Sequence, residues 1–385
     1  MVAVALVELI VAAALVWAGN PMWPVPFAGI FLVLLAGWPP GARRGGKPSY
    51  FMRLLLLAPL AALCALAVFV ASTWAAYQRT PEQPSHSVGP NAVWARHQWV
   101  GEPHTSEDYD ALAEELSENR ITDVFFHVGP LDGDGSISPE KYPNAADLVK
   151  NLRLRHPTVR IQAWIGQITV ASGGPLELAD KEVRKRIVAT SGKFLDLGFN
   201  GIHYNVEPLP SGDRDFIDLL SLARALTKAR GAVLSIAAEE PDPSGLAGDL
   251  ARLISSGYHA WHYDYYLELT DYVDQIAVMS YDTGVPVNWV YAAVIRRYTA
   301  RLITLIGGKV TLFMGIPTYS DQLPAHVSSA ENMESALTGI VQGVEGYSDS
   351  QLAKFGVAIY AQWTTTPEDW ATYRRVWLGD HDGFK

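Results

Sequence analysis

From residue 92 onward the chain repeats one pattern eight times: a short β-branched or aromatic run, then a longer amphipathic stretch. The runs are Ala92–Trp99, Asp123–Val128, Val159–Ile165, Gly201–Glu207, Ala232–Ala238, Gln275–Tyr281, Lys309–Pro317 and Gly356–Trp363. Between them apolar residues recur at helical spacing, as in Tyr109, Leu112, Ala113 and Leu116, or Val183, Ile187 and Val188, which places them on one helix face. Crossovers of about 25 to 40 residues separate the runs, room for a helix rather than a hairpin. Eight such units predict an α/β fold, a (β/α)8 TIM barrel. A doubly wound open sheet is the alternative, but no Gly-x-Gly-x-x-Gly follows the first run, so a dinucleotide site lacks support.

Ahead of the barrel pattern lie three apolar stretches. Met1–Trp17 has one charge, Glu8; Met22–Trp38 has none; Leu54–Tyr77 has none in 24 residues. As a helix the last would reach about 36 Å, more than the roughly 30 Å hydrocarbon core of a bilayer. The first two are at the lower length limit and are joined by Gly19-Asn20-Pro21, a turn signal. The sequence therefore predicts a membrane segment over 1–77, three transmembrane helices, then a polar, Pro-rich linker over 78–91 and a domain over 92–385. A signal peptide is disfavoured for the first stretch, which lacks a basic n-region and an A-x-A site. Arg43, Arg44, Lys47 and Arg53 mark a cytoplasmic loop, so the large domain of this multi-pass cell-membrane protein is expected to be extracytoplasmic.

Composition narrows the partners. Apolar residues make up 49% of the 385 and charged ones 18%, too apolar for a disordered chain. Of 30 basic and 40 acidic residues, five and one fall in 1–80, which leaves 25 and 39 beyond, a net of −14. Nucleic acid is disfavoured, because counterion release needs a basic face. A single cysteine, Cys64, excludes a disulfide framework and a Cys-based zinc site. No cofactor is expected.

The working residues of such a barrel sit at the C-terminal ends of its strands. Those ends read Trp99; His127; Trp164 and Gln167; Asn205 and Glu207; Glu239 and Glu240; Tyr281 and Asp282; Tyr319; Gln362 and Trp363. The set is rich in carboxylates and aromatics and has no basic residue, so a phosphate would find no clamp. Carboxylates bond sugar hydroxyls and aromatic faces stack on pyranose rings, which makes a polysaccharide or glycan the expected ligand, bound by His203, Trp363, Trp164, Gln167, Glu239, Tyr319 and Trp99.

The fourth run, Asn200-Gly-Ile-His-Tyr-Asn-Val-Glu207, carries the clearest chemistry. With a period of two, His203, Asn205 and Glu207 share one face and Ile202, Tyr204 and Val206 the other. The apolar set should meet the helices, so the polar set points into the barrel, where each group needs a hydrogen bond. A satisfied structural network is one reading. The other is catalytic: Asn205 and Glu207, about 6.6 Å apart along a strand, could protonate a glycosidic oxygen and hold a neighbouring substituent.

These residues resemble a family. The fourth run is similar to the strand-four motif Asp-Gly-x-Asp-x-Asp-x-Glu of family 18 glycoside hydrolases, the chitinase-like family. Met279-Ser280-Tyr281-Asp282 resembles its strand-six Met-x-Tyr-Asp, Gly315-Ile-Pro-x-Tyr319 its strand-seven Gly-x-Pro-x-Tyr, and Trp363 stands where its strand-eight tryptophan floors the sugar site. The motif's aspartates are here Asn200, His203 and Asn205, and the strand-three Ser-x-Gly-Gly reads Trp164-Ile-Gly-Gln167. An asparagine two before the glutamate is similar to the family 85 endo-N-acetylglucosaminidases. The resemblance implies hydrolysis of an N-acetylhexosamine polymer with acetamido participation, Glu207 as acid/base, Asn205 as acetamido orienter, and Tyr281 and Asp282 supporting the reacting sugar. Glu207 must then have a raised pKa, from burial or from Asp282 and Glu239. A direct-displacement pair would need a second carboxylate, for which Glu239, Glu240 and Asp282 are candidates; Lys309–Pro317 contains no Glu. A catalytically silent glycan-binding barrel and a docking module for a membrane partner are the other functional readings.

Three smaller signals have plainer readings. Leu131–Glu140 alternates Asp132, Asp134 and Ser136 like a calcium loop, yet Ile137 stands where an EF-hand needs Gly, so a turn-rich rim loop is expected. Trp261–Tyr266 reads as the buried face of a helix. His97, His127 and His203 lack metal-ligand spacing, and no metal site is expected.

Overall fold

The computed structural model describes residues 67, 68, 70–79, 86–242, 259–321 and 325–380. Eight parallel strands close into a barrel in sequence order: β1 Ala92–Ala95, β2 Asp123–His127, β3 Arg160–Ile168, β4 Gly201–Glu207, β5 Val233–Ala238, β6 Gln275–Val278, β7 Thr311–Pro317 and β8 Phe355–Tyr360. The ring is completed by β1 pairing with β8, Ala92 opposite Ala358. The open-sheet alternative is thereby excluded.

Each strand is followed by a helix: α1 Ser106–Glu118, α2 Ala145–Arg155, α3 Lys181–Asp196, α4 Arg214–Arg230, α5 Tyr263–Leu269, α6 Asn288–Ile306, α7 Met333–Val344 and α8 Pro367–Tyr373. Their starts are written in the sequence. Thr105 caps α1 in a reciprocal box with Asp108, Asp213 accepts from the Phe216 N–H ahead of α4, and Thr366 and Asp369 cap α8. Each side-chain acceptor satisfies a backbone donor that has no partner within the helix. The predicted stripe Tyr109, Leu112, Ala113 and Leu116 is buried. Trp261, Tyr265 and Tyr266 are buried as well, at and within the start of α5.

The described residues form two cores. Outward strand residues such as Ile202, Tyr204 and Val206 pack with the helices in one continuous apolar layer. Inside the barrel a separate cluster holds Ala92, Trp94, Phe125, Trp164, Ala277, Phe313 and Ala358. Aromatic rings and alanines thus fill an interior usually packed with branched aliphatics. Below this layer, at the N-terminal ends of the strands, fully buried Asp123 accepts from Arg160 Nε at 2.6 Å, Gln162 Nε2 at 2.8 Å and Gln275 Nε2 at 2.9 Å. That carboxylate joins β2, β3 and β6 across the base.

Several strand ends differ from the sequence pattern. β1 stops at Ala95 and the chain turns into a one-turn helix, Gln98–Gly101, which carries Trp99 away from the barrel mouth. β6 stops at Val278 and β8 at Tyr360, so Tyr281, Asp282 and Trp363 lie on loops beyond them. β3 instead runs on to Ile168.

The apolar stretches Met1–Trp17 and Met22–Trp38, with the first part of Leu54–Tyr77, lie outside the described residues. Among the described residues no helix is long and apolar enough to cross a membrane. Residues 70–77 are helical and lie on the outer helices. Gln342 Nε2 donates to the Ala76 carbonyl at 2.6 Å, and Asn288 Nδ2 to the Tyr77 hydroxyl at 3.2 Å. Residues 86–91, read as linker, also touch the barrel: the His86 N–H donates to the Trp377 carbonyl at 3.0 Å, and Asn91 Oδ1 accepts from Trp377 Nε1 at 2.8 Å.

Candidate active site

The inward face of β4 serves two purposes. His203 is completely buried in the aromatic layer, stacked on Phe125 at 3.8 Å between ring centroids. Its Nε2 accepts from Trp94 Nε1 at 3.0 Å, and an indole can only donate, so the proton is on Nδ1, which donates to Ser235 Oγ at 2.8 Å. Burial pushes its pKa down to about 3. This imidazole is a neutral structural group beneath the site and not a sugar ligand; the network reading holds for His203.

Asn205 and Glu207, further along the strand, emerge into a cleft of about 560 Å³ at the barrel mouth. Its walls include Glu239 and Glu240 after β5, Tyr281 and Asp282 after β6, Tyr319 after β7, and Tyr360 and Trp363 around the end of β8. The structure therefore gathers Glu207, Asn205, Tyr281, Asp282, Glu239, Tyr319 and Trp363 in one cavity. Trp99, Trp164, Gln167 and His203 do not line it. Trp99 stacks on His104 at 4.3 Å, outside the mouth. Trp164 is buried against the edge of His127. Gln167 ties loops together, its Oε1 accepting from the Ile168 N–H at 2.8 Å and its Nε2 donating to Leu131.

The aromatic wall is tightly set. Tyr281 stacks on Tyr360 at 5.2 Å, and Trp363, the most exposed of the group at 36%, meets Tyr360 edge-on at 5.8 Å. Gly315 on β7 makes room for this. A Cβ there would lie 2.9 Å from a Tyr281 ring carbon and 2.5 Å from the Val278 carbonyl oxygen, so the strand-seven glycine is a packing requirement. Asp282 has φ 61, a left-handed conformation that aspartate tolerates better than most residues, and its carboxylate accepts from the Tyr319 hydroxyl.

The carboxyl groups repel one another in a poorly solvated cavity. Burial raises the Glu207 pKa, opposed by the N–H of Asn205, which donates to Oε1 at 3.4 Å, and reinforced by Asp282. Burial, then repulsion from Glu207, holds Glu239 up at about 8. Glu240 also reaches about 8, through burial and then Glu331 and Asp282. Of the two expected neighbours, Asp282 acts on Glu207, whereas the repulsion between Glu207 and Glu239 falls on Glu239. The carboxyl of Glu207 has Asn205 as its one hydrogen-bond partner among the described residues, and no cation pairs with it. Two buried polar atoms lack partners nearby, Asn205 Oδ1 and Trp164 Nε1, on strands paired with Gly166 opposite Asn205.

Sequence reasoning missed Trp94 and Tyr360, which also line the cleft, and His326 and Glu331 behind Asp282. The two aromatics fall within the predicted strands and could have been found by counting inward positions. The other two lie between β7 and α7, where no periodicity marks them. His97 and His127 face each other at 5.6 Å between centroids, apart from buried His203, so the three histidines form no common site. In the loop after β2, Lys141 Nζ holds Asp132 at 2.8 Å while Asp134 accepts from Ser136 and pairs with Arg186, as suits a rim turn.

No protein-family model matches the chain, and no curated protein matches it. Solved structures do. The spore cortex-lytic enzyme SleL of Bacillus megaterium is 12% identical with a TM-score of 0.51, over 77% of this chain and 75% of that one. The Group IV chitinase of Ostrinia furnacalis is 14% identical with a TM-score of 0.51, over 75% of this chain and 99% of that one. A chitinase of Chromobacterium violaceum is 13% identical with a TM-score of 0.50, over 74% and 98%. The likeness is one of fold. At such identity it establishes a barrel of the kind found in chitinases and SleL, and the residues of the cleft must carry any argument about chemistry.

Proposed function

We propose that the barrel is a glycoside hydrolase acting on an N-acetylhexosamine-containing polysaccharide, with Glu207 as general acid and base. The observation that carries this is the state of Glu207: half-buried, raised in pKa, held among the described residues by Asn205 alone and lining a cleft walled by aromatic rings. A raised pKa keeps a carboxylic acid protonated until it meets a leaving-group oxygen. In the first step Glu207 gives its proton to the glycosidic oxygen while the substrate's acetamido oxygen attacks the anomeric carbon and the glycosidic bond breaks. In the second, Glu207 takes a proton from water, which opens the cyclic intermediate.

Asn205 orients the acetamido group. Among the described residues its Oδ1 has no partner, and an acetamido N–H brings the donor it lacks. An asparagine two before the acid resembles the family 85 enzymes, which supports this role. Asp282 supplies negative charge near the reacting sugar, Tyr281 supports it from the β6 loop and Trp363 stacks beneath it. Glu239 and Glu240, protonated at neutral pH, are poor nucleophiles, which favours acetamido participation over a carboxylate displacement. The chitinases and the cortex-lytic enzyme of similar fold act on such glycans by name, in keeping with this substrate class. With the apolar stretches before residue 78, the protein is proposed to be membrane-anchored with its barrel outside the cytoplasm.

The test is reducing-end release by the full chain from peptidoglycan strands, chitin oligomers and N-glycans, with deacetylated controls. Glu207→Gln should lose about 10²–10⁴-fold in rate while still binding the glycan. Equal release by wild type and variant would remove Glu207 from the chemistry. Binding without release by wild type on every polymer would make the barrel a glycan-binding module.

A further inference from the structure

Asp282, His326 and Glu331 converge on the side of the cleft built by the β6 and β7 loops, and their donor atoms all lie within 4.8 Å of one another. The ring of His326 is buried, and its Nε2 sits 3.2 Å from the Tyr319 carbonyl oxygen. A carbonyl only accepts, so Nε2 carries a proton and Nδ1 is turned to the opposite side. There Nδ1 meets Asp282 Oδ1 at 3.1 Å and Glu331 Oε2 at 3.4 Å, yet has no aligned hydrogen bond to either. One imidazole nitrogen and two carboxylate oxygens thus converge on one point, as donors do around a cation.

We propose that Asp282, His326 and Glu331 bind a divalent transition-metal ion of the zinc or manganese class. The spacing suits it: ligand bonds of about 2.0–2.1 Å in a tetrahedron put neighbouring donors about 3.3 Å apart, between the two observed separations. One imidazole with two carboxylates is a mixed nitrogen and oxygen set, better matched to such ions than to the all-oxygen shells of calcium and magnesium. The supporting groups are those of a metal centre. The imidazole donates its far N–H to a backbone carbonyl, the Tyr319 hydroxyl donates to Asp282, and Thr283 donates to Glu331 through Oγ1 at 2.9 Å and its N–H at 3.3 Å. Among the described residues no Lys or Arg pairs with either carboxylate. Asp282 is half exposed to the cleft, so the open coordination position faces it and can take water or a hydroxyl or carboxylate of a bound glycan.

The inference does not depend on hydrolysis, because its readout is metal content. The full chain without a tag is stripped with chelator, dialysed against Zn²⁺, Mn²⁺ or Ca²⁺, and analysed by plasma mass spectrometry beside His326→Ala and Glu331→Gln. Wild type should retain about one equivalent of zinc or manganese and melt higher with it, and each variant should lose about ten-fold or more in retained metal. Circular dichroism shows whether the variants are folded, and Glu331→Gln, nearly isosteric, stands in if His326→Ala is not. Folded wild type that retains no zinc or manganese, or retention unchanged in both variants, overturns the site. It would then be an imidazolium held between two carboxylates.

Discussion

Glu239 shows how one side chain ties the cleft's chemistry to stability. Its folded pKa of about 8 lies above the ordinary 4.5. The folded protein therefore binds more protons than the unfolded chain between those values, and the Glu239 contribution, complete below about 4.5, is lost as pH rises through about 8. Wild type should melt at progressively lower temperature from pH 5 to 9, and Glu239→Gln, which cannot ionise, should flatten that decline in a calorimetric series. An equally steep decline in the variant would mean that Glu239 is not the group responsible. At this scale the sequence was legible where alternation is strict: Asn205 and Glu207 are inward by count alone. It misled at His203, which has the same parity but lies two residues deeper, in the closed aromatic layer. The register that separates interior from mouth is a property of the closed barrel.

At the scale of elements, all eight strands were readable because each is a β-branched or aromatic run in a chain otherwise patterned for helices. Their C-terminal ends were not. β6 gives way to a loop at Met279, and the left-handed Asp282 that follows accepts from Tyr319 beyond β7, a contact that no local pattern encodes. Trp99 looked like a strand end because aromatic residues favour strands, yet a helical turn carries it out to His104. The β6–β7 interface supplies the prediction here. Gly315→Ala must displace either Tyr281 or the β6 backbone, at a cost of about 1–3 kcal/mol. Urea unfolding should show that loss and the glycan assay a reduced rate; unchanged values for both would refute the packing argument.

For the whole molecule, closure depends on the base as much as on the mouth. Asp123, with no exposure to water, gathers donors from part-exposed Arg160 and from buried Gln162 and Gln275, so Asp123→Ala removes their shared acceptor and leaves Gln162 with Gln275 alone. A loss of about 1–3 kcal/mol is expected by denaturant titration, the cost of leaving buried donors without their acceptor. A loss below about 1 kcal/mol, the size of an exposed pair, would mean that the barrel closes without this knot. The three apolar stretches remain a sequence inference, proposed to span a bilayer.

The contacts made by residues 70–77 and 86–91 bear on reach. Ala76 and Tyr77 are held by the barrel's flank, His86 and Asn91 by its base. The chain that leads back from residue 70 to the proposed membrane anchor therefore leaves from the barrel's flank. With that proposed anchor, the cleft would meet polymer strands that pass within a barrel's reach of the bilayer, and its range would be that of the anchor's lateral travel.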